Sequence, residues 1–170
     1  MITPAYVRTM AAYNAEMNRR LYGAADRLPE AARRASQGAF WSSLHGTLVH
    51  ILWGDHQWMS RFDGWDRPAT PIRQSDHFIE DWEELVTARR HADTRISDWA
   101  GRVDQGWLEA DLTWFSGAAN REVSAPKRLL VAHFFNHQTH HRGQAHALIT
   151  GAGEKTEDTD LFLVVPQISE

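Results

Sequence analysis

The 170-residue sequence predicts an all-α fold, a four-helix bundle with a long loop or small hairpin before the last helix. In each of four segments, apolar residues recur at helical spacing, and in the first the steps alternate between four and three residues, as in bundles. Residues 61–74 contain two prolines and a glycine, which favours a connecting loop over another helix. The length fits a single domain, residues 1–170, that can bury a full core.

The first helix begins with Thr3 as its capping residue and Pro4 at its first helical position, and it ends near Pro29. Its apolar stripe is formed by Tyr6, Met10, Tyr13, Met17, Leu21, Ala24 and Leu28. Asn14 and Asn18 lie beside this stripe, so we interpret them as its polar flank.

The second helix begins after a capping serine, Ser42 or Ser43, and runs to about Phe62. It is apolar over most of its circumference, which is typical of a helix in a bundle interior. His45 and His56 project more than about 100° away from His50 on a helical wheel. His50 therefore stands alone, and the residues around its direction are small: Ser43, Gly46, Thr47 and Gly54.

Gly46 and Gly54 each weaken a helix by about 1 kcal/mol relative to alanine, so their presence needs a reason. One interpretation is that they let another helix pack closely. The other is that they leave space beside His50 for an ion and a further ligand.

The third helix is predicted to begin at Ser75 or Asp76 and to end near Gly101, with its acidic residues Glu80, Glu83 and Glu84 on the surface. Residues 107–123 then alternate between apolar and polar, with turn-forming residues at 116–120. This pattern indicates a hairpin or a long ordered loop, in which Glu122 and Val123 pair back.

The last helix begins around Ser124 and Pro126, ends at Gly151 and Gly153, and contains a cluster of histidines. His137 and His141 are four residues apart and fall within the apolar stripe, so both point inward with the spacing of metal ligands. His50 would supply a third imidazole from the second helix. The alternative is that these histidines form only hydrogen bonds in the core.

Composition limits the function. The chain has no cysteine, so any metal must be bound by nitrogen and oxygen ligands, and its net charge of -4 argues against nucleic-acid binding. The first residues resemble no secretory signal and no apolar run is long enough to span a membrane, so we expect a cytoplasmic protein. The chain has eight tryptophans and an apolar tail at residues 161–165, and both features favour a homodimer. We expect the tail to pack on the bundle or on a second subunit.

Three motifs carry a resemblance to a known family: Tyr13-Asn14 with Asn18, residues 43–50 (SLHGTLVH) followed by Asp55 and Trp58, and residues 137–144 (HQTHHRGQ). Together they resemble the DinB-like, damage-inducible family over nearly the whole chain. The resemblance implies a bundle that is commonly dimeric and a divalent metal held by His50, His137 and His141. Imidazole ligands suit zinc, nickel, copper and iron, among which we expect zinc or nickel. The resemblance also implies a metal-dependent hydrolase or a transferase of low-molecular-weight thiols, acting on an unknown small molecule.

A general base is harder to predict. In zinc proteases a glutamate lies between the two helical histidines, whereas here that position is Gln138, which cannot serve as the base. Asp55 and His133 are the remaining candidates, unless the metal merely activates a thiol and no base is required. For Asp55 we favour a role in orienting a ligand or in pairing with an arginine such as Arg142.

Gly143 is expected to permit close helix approach. The alternative function is a non-catalytic metal-binding, dimeric, stress-associated protein.

Overall fold

The computed structural model describes residues 2–117 and 119–165, which are mostly helical with one small sheet. In chain order the elements are α1 (Pro4–Asp26), α2 (Glu30–Arg34), α3 (Leu44–Phe62), a 3-10 helix (Ile72–His77), α4 (Trp82–Arg102), α5 (Gln105–Glu109), β1 (Asp111–Ser116), β2 (Arg121–Pro126), α6 (Lys127–Gly151) and α7 (Leu161–Val164). The four predicted helices correspond to the four long ones, α1, α3, α4 and α6.

Side-chain caps fix the beginnings of α1 and α3 where the sequence predicts them. The Thr3 hydroxyl accepts a hydrogen bond from the Tyr6 amide at 3.2 Å, and Pro4 is the first helical residue. Of the two serines proposed for α3, Ser43 is the cap, since its hydroxyl accepts from the Gly46 amide at 3.0 Å. Both helices satisfy one of their free backbone donors in this way.

The predicted beginning of the third helix is wrong. Asp81, not Ser75 or Asp76, is the cap of α4, and its carboxylate accepts from the Glu84 amide at 2.8 Å. Ser75 lies in the 3-10 helix and is completely buried, with its hydroxyl directed at His50. That contact occupies the side chain that the sequence suggests as a helix cap.

Of the two alternatives for residues 107–123, the hairpin is confirmed from Asp111 onwards, whereas residues 107–109 belong to the short helix α5. β1 and β2 are antiparallel, with Trp114 opposite Val123 and Phe115 opposite Glu122. Within the predicted turn, Ala118 lies outside the described residues. Ser124 does not begin the last helix, because it lies in β2, where its hydroxyl accepts from Thr113; α6 begins at Lys127 after Pro126.

The four long helices share one hydrophobic core. α1 packs against α4 and α6, and α3 packs against the same two helices, which leaves α3 buried around most of its circumference. Val164 of α7 is buried against Tyr13 and Met17 of α1, so the apolar tail is a short helix packed on the long helices rather than an exposed strand. None of the helices formed by the described residues is both long and apolar enough to cross a membrane.

Candidate metal centre

Three histidines from two helices meet at one point between α3 and α6. His50, His137 and His141 each place a ring nitrogen within 4.8 Å of the other two. The Nε2 atoms of His50 and His137 are 3.1 Å apart. His50 is almost fully buried, His141 is buried and His137 is half-buried. The three residues singled out by helical spacing are therefore brought together by the fold.

Two of the rings are oriented by hydrogen bonds on the nitrogen facing away from the cluster. Nδ1 of His50 lies 2.8 Å from the Ser75 hydroxyl, and Nδ1 of His141 lies 2.8 Å from the amide oxygen of Gln144. An amide oxygen only accepts hydrogen bonds, so Nδ1 of His141 carries the proton and its Nε2 presents a lone pair. Such second contacts are characteristic of metal-binding histidines.

The spacing and chemistry of the trio fit a divalent ion. Two imidazole ligands at about 2.0–2.1 Å from a tetrahedral ion are about 3.3 Å apart, close to the observed separation of the Nε2 atoms of His50 and His137. Burial and the neighbouring imidazoles lower the pKa of both His50 and His137 to about 3. Burial also lowers the pKa of His141. All three rings are therefore neutral at physiological pH, as ligands must be.

The two glycines of α3 have different roles. A Cβ atom on Gly54 would lie 2.7 Å from Cε1 of His137, so this glycine provides the space that the His137 ring occupies. A Cβ atom on Gly46 would lie 2.5 Å from the backbone oxygen of Trp41, so here the glycine permits close backbone packing. The interpretation that a glycine leaves space near the histidines therefore applies to Gly54, and the close-packing interpretation applies to Gly46. Gly143 differs from the prediction, since no atom of the described residues lies within 4 Å of its Cβ position.

A cavity of about 740 Å³ opens beside the histidines and has His50 and His137 in its wall. Its wall combines aromatic and cationic side chains from α3, the following loop and β1, namely Trp53, Trp58, Trp114, Arg61 and Arg67. The volume is within the range of small-molecule sites. The cavity therefore offers a ligand direct access to two of the three histidines.

Arg61 is held over two of these tryptophans. Its guanidinium carbon is 4.8 Å from the ring centre of Trp58 and 5.8 Å from that of Trp114. Burial, followed by the charge of Arg67, lowers the pKa of Arg61, yet a guanidinium remains cationic near neutral pH. The cavity thus presents positive charge next to aromatic surface, a combination that suits an organic anion.

Asp55 has a different partner from the one predicted. Its carboxylate accepts from Arg89 at 2.5 Å and from the Gln138 amide nitrogen at 2.7 Å, and all three side chains are buried. Arg142 lies instead beside Tyr13 and donates to Thr139 at 3.3 Å. Asp55 is fully buried and lies outside the cavity wall, so its observed contacts are structural.

Gln138 and the two asparagines of α1 belong to the same buried network. The amide oxygen of Gln138 accepts from Asn14, and Asn18 donates to Asp93 at 2.8 Å. Asp93 in turn lies 2.8 Å from Arg89. The prediction that Asn14 and Asn18 form a polar flank is therefore wrong, because both side chains are buried. The buried Arg89 and its carboxylate partners need further hydrogen-bonding groups, and the two asparagines belong to that network.

His133 is the other base candidate, and it lies on the cavity wall. Its ring centre is 6.1 Å from that of His137 and 5.1 Å from that of Trp58. Burial lowers its pKa, so the imidazole is neutral and able to accept a proton at neutral pH.

Sequence comparison agrees with the motifs that carry the resemblance. A family model described as the DinB family matches residues 1–167. Neither a curated protein nor a solved structure matches the chain.

Proposed function

We propose that this chain, which belongs to the DinB family, is a metal-dependent enzyme in which His50, His137 and His141 hold a divalent ion, zinc or nickel. The observation that carries the proposal is the cavity of about 740 Å³ that has two of these histidines in its wall. Structural metal sites are closed by protein ligands, whereas catalytic sites keep a position accessible to substrate. A trio beside a ligand-sized cavity favours the second kind.

The protein supplies three neutral imidazoles, two of which are oriented by hydrogen bonds, and a cavity beside them that a substrate can enter. An ion bound by three imidazoles keeps an open position and lowers the pKa of a water or thiol that occupies it. Ser75 and Gln144 hold the outer nitrogens of His50 and His141, which keeps their inner nitrogens directed at one point.

Transfer of a low-molecular-weight thiol is the reaction that the cavity supports best. Among the described residues, no carboxylate lines the cavity, and Asp55 is occupied by Arg89 and Gln138. Base-assisted hydrolysis therefore has only His133 available, whereas an activated thiol needs no strong base. In the thiol reaction, His133 can accept the proton that the thiol loses. The sulfur then bonds to an electrophilic carbon of the second substrate while the bond from that carbon to its leaving group breaks, and the leaving group takes up the proton from His133.

The positive charge of the cavity defines the substrate class further. Arg61 and Arg67 lie on the wall together with three tryptophans. Guanidinium groups bind carboxylates through paired hydrogen bonds, and tryptophan rings pack against carbon skeletons. We therefore propose that at least one of the two reactants is an organic carboxylate.

The second candidate is a metal-binding protein without turnover, and one observation favours it. An ion held by the trio would join α3 to α6, and the exposed face of α7 (Leu161, Phe162 and Leu163) offers apolar surface for a dimer contact. In that case chelation would lower the melting temperature, while thiol and ester substrates would remain unchanged.

The proposal can be tested on untagged protein loaded with Co²⁺, whose absorption reports thiol ligation. We expect mercaptoacetate to produce a new charge-transfer band and to bind more tightly than mercaptoethanol, because only the former carries a carboxylate. Arg61→Met should remove this preference. Arg95→Met is the matched control, since Arg95 also stacks on a tryptophan, Trp65 at 3.8 Å, and lies outside this cavity wall. A spectrum unchanged by either thiol would contradict the thiol-transfer proposal.

A further inference from the structure

A second cavity, of about 330 Å³, lies on the other side of α6 from the histidine trio. It is enclosed by α1, by α6 and by the irregular segment 154–160 that follows α6. None of the three metal-binding candidates lines it. Its chemistry is therefore independent of the proposed metal centre.

Arg142 lies on the wall of this cavity and carries a charge that the fold does not neutralise. Its side chain is only 5 % exposed. Within the described part of the chain it forms no salt bridge, and its Nη1 atom has no hydrogen-bond partner. Its other terminal nitrogen makes only a 3.3 Å contact with the Thr139 hydroxyl, which lies on the same wall. A guanidinium group remains a cation at neutral pH.

Among the described residues, Arg142 differs from Arg89, another buried arginine of the core, in having no ion pair. Arg89 is equally buried but lies between two carboxylates, those of Asp55 and Asp93. Charges are rarely buried without a paired ion, because desolvation costs several kcal/mol per ion. Arg142 therefore has the surroundings of a ligand-binding arginine rather than of a structural one.

The other charged groups of the cavity compensate one another. Arg20 lies 2.7 Å from Glu16 and 3.5 Å from Glu157. The wall thus presents one uncompensated positive charge, with the Glu157 carboxylate also nearby. A monoanion matches this balance better than a phosphate dianion, which the carboxylate would repel.

The segment 154–160 closes the cavity through side chains of α1 and α6. The Tyr13 hydroxyl donates to the Thr159 carbonyl at 2.6 Å, and Arg20 donates to the Asp158 carbonyl at 3.0 Å. The Thr156 hydroxyl lies 3.1 Å from Nε2 of His146. Met17 and Leu21 contribute apolar surface to the same wall. The space therefore has a charged end and an apolar lining.

We propose that this cavity binds a small organic monocarboxylate, whose carboxylate pairs with Arg142 and whose carbon skeleton lies against Met17 and Leu21. The guanidinium fork matches a carboxylate geometrically, and the volume admits a ligand with few atoms. This site neither needs the metal nor follows from the proposed enzymatic activity.

Calorimetric titration of the metal-loaded protein with benzoate, acetate, benzamide and inorganic phosphate tests the proposal. We expect benzoate to bind more tightly than acetate, and benzamide, which lacks the charge, to show no binding. Arg142→Met should weaken benzoate binding at least about tenfold, which corresponds to the loss of one charge-assisted contact. Arg8→Met, an exposed position on α1, removes the same charge and should leave binding unchanged.

Two further variants locate the ligand. Gly143→Leu adds a side chain at the cavity wall and leaves the charge of Arg142 in place, because in the described part of the chain no atom lies within 4 Å of the Gly143 Cβ position. This variant should also abolish benzoate binding. His137→Ala should retain it, which excludes a carboxylate bound to the metal. Removing an unpaired buried charge should not lower the melting temperature of Arg142→Met measured without ligand.

The proposal is overturned if neither carboxylate binds the unmodified protein, or if benzoate binds Arg142→Met with undiminished affinity. Loss of binding in His137→Ala would assign the carboxylate to the metal centre instead. Preferential binding of phosphate would overturn the assignment to monocarboxylates. A marked loss of melting temperature in ligand-free Arg142→Met would show that the arginine serves the fold.

Discussion

The Nε2 atoms of His50 and His137 lie 3.1 Å apart, although 87 residues separate the two histidines in the chain. Their positions are set by contacts of the protein itself. Ser75 holds the outer nitrogen of His50, and the absence of a side chain at Gly54 gives the His137 ring its space. The geometry for binding an ion is therefore built into the packing of α3 against α6.

Removing one of the three imidazoles should abolish tight metal binding. His137→Ala leaves two ligands, and we expect the affinity for Zn²⁺ to fall by more than about 100-fold, beyond the effect usual for second contacts. Elemental analysis of untagged protein and competition with a chromophoric chelator would measure this. His91→Ala is the control, because His91 is an exposed histidine on α4 and lies outside the trio. Equal metal content in both variants would contradict the three-histidine site.

The contact between Ser75 and His50 should matter for affinity more than for folding. Ser75→Ala removes the hydroxyl at 2.8 Å from Nδ1 of His50, so the ring loses its fixed orientation. We expect Zn²⁺ affinity to fall about 10- to 100-fold. Ser97→Ala removes an exposed hydroxyl on α4 and serves as the control. An unchanged affinity in Ser75→Ala would show that the hydroxyl does not orient the ligand.

Gly54→Ala separates the space requirement of His137 from helix stability. The added methyl group would lie 2.7 Å from Cε1 of His137, so the ring must move and metal affinity should fall. Gly23 is exposed on α1, and no atom of the residues described by the structure lies within 4 Å of its Cβ position. Gly23→Ala should therefore stabilise the protein by up to about 1 kcal/mol and leave metal binding intact. Chelator competition would measure the metal affinity of both variants, and urea unfolding would measure their stability.

Asp55 should behave as a structural residue. Asp55→Asn leaves Arg89 without the nearer of its two carboxylates, so we expect the free energy of unfolding to fall by about 3–5 kcal/mol. Urea unfolding would measure the loss, with Asp98→Asn on the exposed face of α4 as the control. If Asp55→Asn folded as stably as the original protein and lost only activity, Asp55 would be a catalytic base instead.

Acid should destabilise the metal-free protein. Burial lowers the pKa of His50 to about 3, whereas in the unfolded chain it is near 6.5. Between these values the unfolded state binds more protons, so stability is complete above the unfolded pKa and falls as the pH decreases. We expect a loss of up to about 1.4 kcal/mol per pH unit from this residue below about pH 6.

Urea unfolding at pH 7, 6 and 5 after chelator treatment would measure that slope. His50→Gln cannot titrate and should show a smaller slope, whereas His91→Gln, at an exposed position on α4, should match the unmodified protein. Identical slopes in all three proteins would mean that His50 is not the group responsible.

Much of the helical framework could be predicted because its signals are local. Thr3 with Pro4 marks the beginning of α1, and Ser43 marks that of α3. The i, i+4 spacing of His137 and His141 follows from helix geometry alone. The third histidine required more, since only its small neighbours and the family resemblance distinguished His50 from His45 and His56.

The contacts that could not be predicted connect distant helices. Nothing near Asp55 indicates that its partner is Arg89, because α4 is reached only after the loop and the 3-10 helix. Ser75 has the local pattern of a helix cap, yet its hydroxyl is used by a histidine 25 residues earlier. Local sequence patterns report only on contacts between residues near each other in the chain. The partners of Asp55 and Ser75 are set instead by the packing of distant segments.

The buried polar network has a consequence for how the helices are arranged. Asn14, Gln138, Asp55 and Arg89 come one each from α1, α6, α3 and α4. If α6 slid by one turn, about 5.4 Å, Asp55 and Asn14 would both lose their hydrogen bonds to the Gln138 amide in the core. That penalty selects a single longitudinal register of α6. Because Gln138 directly follows His137 in the chain, the same register fixes the height at which the imidazole faces its neighbours on α3.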